Sequence, residues 1–367
     1  MSSQSAVVVL NVGSSSVKFR VLGADDDLPV LADGRVTGIG SRPELRVRGQ
    51  TPRALDRATD QAAAIRLVLD RLGDDHRGWT LRAAGHRIVH GGEEFRTPVL
   101  LDDDILERLE RYVPLAPLHQ RHNLDAVRAV ANLYPDLPQV GCFDTAFHAD
   151  HDAVTASYAL PRALREQGIR RYGFHGLSYE WIACVLAEES GGAPERVVAA
   201  HLGNGASLCA MRAGKSVDTT MGMTALEGLP MGTRCGAIDP GAVLFMLRSC
   251  GLELDEVERL LHDESGLKGL SGGISDMSEL LASDSPEAKL AVDYFVLRTA
   301  QKIGEMVVSL GGLDTLVFTG GIGENVAPVR QRIVDRLAFL SPFTVRVIPA
   351  DEERMIARHA LSLLSQG

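Results

Sequence analysis

At 367 residues, the chain is long for one core and short for three, and at ~100–200 residues per domain two domains are expected. Apolar residues make up 45% and charged residues 23%, fractions that exclude wholesale disorder. Asp and Glu number 48 against 38 Lys and Arg, a net charge of −10 with no basic run, which argues against nucleic acid or a membrane as partner. Five cysteines (Cys142, Cys184, Cys209, Cys235, Cys250) form no CxxC pair, so neither a zinc site nor a disulfide framework is expected. The apolar run Ala6–Leu10 is far below the ~20 residues that span a bilayer and has no basic leader, so a cytoplasmic protein is expected.

In chain order, Ala6–Leu10 reads as a strand, Asn11 to Ser16 as a polar turn, and Val17, Phe19 and Val21 as a second strand. A β-rich stretch continues to about Gln50. Helical periodicity follows over Ala54–Leu72, with Gly73 as its stop; a second helix starts at the acidic run Asp102–Asp104 and ends before Pro114. A third follows Asn123, and Gln139–Phe143 reads as a buried strand ending in Asp144. The second half repeats this grammar: strand Arg196–His201, turn Gly203-Asn204-Gly205, strand Ala206–Met211. Helices are expected over Pro240–Gly251 and Pro286–Leu310, then strand Thr315–Thr319 running into Gly320-Gly321-Ile322-Gly323. Strand Thr344–Ile348 and helix Asp351–Leu364 close the chain. The pattern predicts two similar α/β domains, 1–147 completed by 350–367, and 148–349 as the nucleotide-binding domain, with a cleft between them.

Two apparent motifs fail. Gly214-Lys215-Ser216 has Cys209 where a P-loop needs its first glycine. Gly269-Leu270-Ser271-Gly272-Gly273 matches the spacing of a nucleophile elbow, but no apolar strand leads into it; a Gly-rich loop before a helix at Ile274 is the plainer reading. Three small-residue turns remain, Gly13–Ser16, Gly203–Ser207 and Gly320–Asn325, each directly after an apolar strand. Any one could be a tight hairpin. Three in corresponding places favour backbone N–H groups that cradle nucleotide phosphates.

Longer segments go beyond the generic. Val9-Leu10-Asn11-Val12-Gly13-Ser14-Ser15-Ser16-Val17-Lys18 resembles the first signature of the acetate kinase family, and 197–214, with His201-Leu202-Gly203-Asn204-Gly205, resembles the second. Gly85–Gly92, Phe143–His148, Arg171–Gly176, Met231–Gly236, Gly321–Asn325 and Pro349–Arg358 follow in the family's order and cover nearly the whole chain. The resemblance implies the two-domain actin/Hsp70/sugar-kinase fold and reversible, ATP-dependent phosphorylation of acetate, and less well propionate, to the acyl phosphate by direct in-line transfer. It implies Mg2+ (or Mn2+) bound through Asn11 and Glu352, ATP/ADP as co-substrate, and a homodimer. The nucleotide would contact Lys18, His201, Leu202, Gly203, Asn204, Gly205, Asp276, Met277, Ser278, Gly321, Ile322, Gly323, Glu324 and Asn325. Acetate would be held by Arg87, with Val89, Leu118, Phe174 and Ala225 around its methyl group. Asp144, His175 and Arg234 would be catalytic. Three positions depart from the family's pattern: Gln120-Arg121-His122 after Leu118-His119, Ser278 where arginine is usual, and Ala225 where proline is usual.

The chemistry suits these residue types. Phosphoryl transfer is positioning plus electrostatic stabilisation of charge spread over the equatorial oxygens, and the arginine fork matches both carboxylate and phosphoryl oxygens. Taken alone, Arg87 and Arg234 could be surface charges, His175 a core histidine and Glu352 a helix-dipole complement. Acetate is already ionised at pH 7, so a base at Asp144 has no proton to remove; a charge role, orienting an arginine or a metal-bound water, is the expectation. Two rivals stand beside the kinase reading. A nucleotide-gated binding protein of the same fold would keep the three turns without needing Arg87, Arg234 and His175. A serine hydrolase would depend on Ser271.

Overall fold

The structure is a computed structural model that describes residues 4–13, 16–55, 60–74, 78–117, 119–192 and 194–366. It divides into two compact units, Met1–Ala146 with Asp351–Gly367, and Phe147–Ala350.

The first unit holds strands β1 (Gln4–Val12), β2 (Ser16–Gly23), β3 (Val30–Thr37), β4 (Glu44–Val47), β5 (Arg53–Ala54), β6 (Trp79–Ile88), β7 (Val99–Leu100) and β8 (Gln139–Phe143). They form one sheet in the order β5-β4-β3-β2-β1-β6-β8-β7. β1 pairs antiparallel with β2 and parallel with β6. Ala6 to Leu10 are fully or almost fully buried, which is why this strand is an unbroken apolar run rather than an alternating one. One face packs Val8, Leu10, Phe19 and Ala84 against Ile65, Leu69 and Val130 of helices Gln61–Asp74 and Gln120–Leu133. A second cluster joins Ile88 and Phe143 to Leu106, Leu109 and Leu124. Helix Glu352–Gln366 returns to β1, β6 and β8.

The second unit holds β9 (Arg196–Leu202), β10 (Ala206–Arg212), β11 (Lys215–Thr219), β12 (Thr315–Thr319) and β13 (Thr344–Val347), in the order β11-β10-β9-β12-β13. Val197, Ala199, Cys209, Met211 and Val317 pack beneath Tyr179, Ile182 and Leu186 of helix Gly176–Ser190.

Several boundaries differ from expectation. The helix expected over 54–72 begins at Gln61, with Arg53–Ala54 paired instead to β4. The helix expected after Asn123 starts at Gln120. Pro240–Gly251 ends at Ser249 and is followed by an unforeseen helix, Leu254–Asp263, closed at its start by a capping box of Glu253 and Glu256. The Gly-rich stretch around Ser271 is largely helix Gly266–Ser271, and Gly320–Asn325, expected as a turn, is a short helix. Apolar spacing marks where a helix sits; its ends depend on which polar side chains fold back on the backbone.

Candidate active site

At the C-terminal ends of β1, β6 and β8 the first unit gathers four polar side chains. Arg87, the second-last residue of β6, donates from Nε to Asp144 Oδ1 at 2.9 Å and from Nη2 to Oδ2 at 2.6 Å. This is the planar two-point fork that suits guanidinium and carboxylate. Nη1 donates to Asn11 Oδ1 at 3.4 Å, and Glu352 Oε2 lies 3.7 Å from Nε. The Asp144 side chain is 2% exposed, Glu352 13% and Arg87 20%, so three ionisable groups share a largely desolvated space. Burial alone would lower the Arg87 pKa, but Asp144, Glu352 and Glu353 offset it and hold the guanidinium above its ordinary value. Burial, helped by Glu352, pushes the Asp144 carboxyl upward against the pull of Arg87. An arginine cannot surrender its proton, and two bonds from it hold Asp144 as an anion at neutral pH. Asp144, Glu352 and the carboxamide oxygen of Asn11 gather oxygen donors around Arg87. Hard oxygen donors fit Mg2+, which keeps several waters and asks a protein for few ligands. Among the described residues no group of three or more His, Cys, Asp or Glu forms a metal cage.

Neighbouring polar residues fix this corner. Asn123, expected only as a helix start, is buried; it donates to Val12 O at 2.8 Å and accepts from Val89 N at 3.0 Å. Lys18 faces solvent on β2, opposite Asn11. Ser14, Ser15 and Leu118 lie outside the described residues.

In the second unit two of the three turns lie side by side. Thr319 of β12 pairs with His201 of β9, and the Cα hydrogens of Gly203 and Gly320 face backbone. Gly320 has φ +76, and a Cβ there would meet Leu202 O at 2.8 Å, so both its conformation and its packing require glycine. Glu324 turns back to accept from Gly320 N (2.9 Å) and Ala350 N (3.0 Å), and Asn325 donates to Gly321 O. Gly203 N donates to Gly205 O, and Gly232 N to Asn204 O, each at 3.0 Å. Asp276 caps helix Met277–Ala282, accepting from Ser278 N and Glu279 N, while Met277 is buried.

His175 precedes helix Gly176–Ser190 with φ +59, unusual for a side-chain-bearing residue. Ser178 lies inside the first turn of this helix, where its hydroxyl bonds His201 Nδ1 at 2.9 Å. The imidazoles of His175 and His201 stack with centroids 4.3 Å apart. Over Gly205 the site opens: a Cβ placed there would lie 3.5 Å from His175 Nε2 and 3.9 Å from Arg234 Nη1. A missing side chain thus leaves room where two donors converge. Arg234 Nη1 also donates to Ala225 O at 3.2 Å. The Ala225 loop is braced in turn by Glu227, which accepts from Tyr158 Oη (2.6 Å) and Arg171 Nη1 (2.9 Å), while Tyr158 Oη accepts from Met223 N. Phe174 is buried and its carbonyl is bonded by His148. Sequence reasoning assigned nothing to Tyr179, Tyr158 or Glu227, and it placed Ser207 in the Gly203–Ser207 turn, whereas Ser207 lies in β10 opposite His201. Ser271 is no nucleophile: its hydroxyl caps its own helix end, bonded to Ile274 N and O at 2.8 Å.

The Acetokinase family model matches residues 6–341. An acetate kinase of Nitrobacter hamburgensis is 49% identical, covering 98% of this chain and 96% of that protein. The crystal structure of Porphyromonas gingivalis acetate kinase superposes with a TM-score of 0.90 at 36% identity, covering 98% of this chain and 100% of that one. A propionate kinase from Francisella tularensis gives 0.91 at 35%, with 97% and 98% coverage. These likenesses define the class: a phosphotransferase of the kinase type. Within that class, the chain belongs to the acetokinase family.

Proposed function

We propose that the chain transfers the γ-phosphoryl group of Mg-ATP reversibly to acetate, and less well to propionate, giving acyl phosphate and ADP in one in-line step. The observation that carries this is the buried Arg87–Asp144 fork beside Asn11 and Glu352. A binding protein has no use for a guanidinium held this firmly with its outer edge, Nη1 and Nη2, still able to pair with a second carboxylate.

In this reading Arg87 orients the acetate and Asp144 orients Arg87. An acetate oxygen forms the new O–P bond while the bond from γ-phosphorus to the β,γ-bridging oxygen breaks, and no proton need move. Charge grows on the equatorial oxygens of the passing phosphoryl group, where His175 Nε2 and Arg234 Nη1 act as donors. The glycine turns at 203–205 and 320–323, with Asp276–Ser278, cradle the nucleotide, and Lys18 contacts it. Asn11 and Glu352 would hold Mg2+ or Mn2+; when bound, the ion neutralises phosphate charge. The Ala225 loop, with Val89 and Phe174, sets acyl size. Free thiols at all five cysteines suit the cytoplasm, and no helix of the described residues is long and apolar enough to cross a membrane. The apolar helix Pro240–Ser249 buries none of its residues, with Phe245 60% exposed, which supports a homodimer.

Hydroxamate trapping with ATP, Mg2+ and a carboxylate panel tests the reading. Acyl hydroxamate from acetate, less from propionate and little from butyrate is expected. ATP hydrolysis without acyl product would sink it.

A further inference from the structure

We infer that Tyr179 and Ser207 form a hydroxyl chain that fixes the ring of His175 in its Nε2–H tautomer, making them positioning residues for phosphoryl transfer. The inference rests on the role proposed for His175. Both residues are fully buried. Tyr179 Oη lies 2.5 Å from Ser207 Oγ, and Ser207 Oγ lies 2.8 Å from His175 Nδ1. Three heteroatoms in a row share two hydrogens, and the direction of the first sets the second. A phenol, with pKa near 10, is a far stronger acid than an alcohol and so the better donor. Tyr179 therefore donates to Ser207, whose own hydrogen goes to Nδ1. Nδ1 becomes the acceptor, and the ring proton is left on Nε2.

That nitrogen is the one 3.5 Å from the place a Cβ of Gly205 would take, beside Arg234 Nη1. The outward atom is thus a donor whenever the ring is neutral. In the other tautomer it would be a lone pair facing phosphoryl oxygens. The backbone serves the same end: His148 bonds Phe174 O at 3.0 Å, bracing the peptide that leads into the positive φ of His175, a conformation that persists only where its surroundings impose it.

The test is long-range 15N–1H NMR of 15N-histidine-labelled whole protein at pH 8.5, with His175→Gln assigning the signals, alongside steady-state kinetics. Wild type should give an acceptor-type Nδ1 and a protonated Nε2. Ser207→Ala should move the ring to a tautomer mixture and lower kcat roughly tenfold, with KM for ATP within about twofold. Tyr179→Phe, which keeps the buried volume, should lower kcat about threefold, and Ser207→Thr should restore most of the loss. A wild-type ring protonated at Nδ1, or a folded Ser207→Ala or Tyr179→Phe with unchanged nitrogen shifts and kcat, would overturn the inference. Should Ser207→Ala fail to fold, Tyr179→Phe decides. A wild type that shows the stated tautomer yet forms no acyl phosphate would count against the proposed function while upholding the chain.

Discussion

The two units are built on one plan and armed differently. β3-β2-β1-β6-β8 in the first and β11-β10-β9-β12-β13 in the second have the same order and the same senses: two antiparallel pairings, then two parallel ones. Registers can therefore be aligned. Asn11 opposite Lys18 in the first hairpin corresponds to His201 opposite Ser207 in the second. Leu10 pairs with His86 and Ala200 with Phe318, so Arg87, one residue on, corresponds to Thr319. Where one sheet ends in an amide, an arginine and buried carboxylates, the other ends in imidazole, hydroxyls and glycines. The first set is the one proposed to meet an ion and a small carboxylate. The second, whose glycines let backbone approach backbone, is the one proposed to meet the polyphosphate. The same scaffold hosts both because the carboxyl ends of parallel strands place whatever residue the sequence puts there.

The largest effect is expected where the second unit meets developing charge. Arg234→Ala should lose ~10³-fold in kcat with KM for ATP little changed; a rise confined to that KM would move Arg234 from the transition state to nucleotide binding. In the first unit, Asp144→Asn takes from the partly exposed Arg87 its two-point partner and leaves Glu352 at 3.7 Å, which costs about 1–3 kcal/mol. Its urea midpoint should fall along with kcat, and a fully active, fully stable variant would remove the fork from the account.

Acid should act through buried histidines in both units, since burial holds His86 and His90 in the first to about 4. His148, held to about 3 by burial and by His151, and His151, held to about 4 by burial, are neutral when folded but titrate near ~6.5 unfolded. The unfolded state binds more protons between those values, so stability is full above ~6.5 and falls as pH drops toward 4, by up to ~1.4 kcal/mol per unit for each. Urea midpoints at pH 7, 6 and 5 read this, and His151→Gln should flatten the slope. The smallest effect concerns the acyl group. One methylene is worth about 0.8 kcal/mol, so Ala225→Pro should lower the propionate-to-acetate ratio of kcat/KM a few-fold; an unchanged ratio would take Ala225 out of the acyl wall.

The contrast also marks what the sequence could and could not reveal. Ala6–Leu10 and Thr315–Thr319 were legible as buried strands because parallel strands write themselves as apolar runs. Resemblance supplied Arg87 and Asp144, but nothing in the sequence pairs residues 57 apart. Asn123 was misread as a helix start: its residue type suits a cap, whereas burial turned it to Val12 O. Ser207 was read as the end of a phosphate turn, whereas its hydroxyl meets two partners 28 and 32 residues away.

The division of labour is tested most directly by the steady-state constants of Arg87→Ala. The account predicts a KM for acetate raised by roughly 30-fold or more and a KM for ATP within about twofold of wild type. An acetate KM left unchanged, with ATP binding weakened instead, would contradict it.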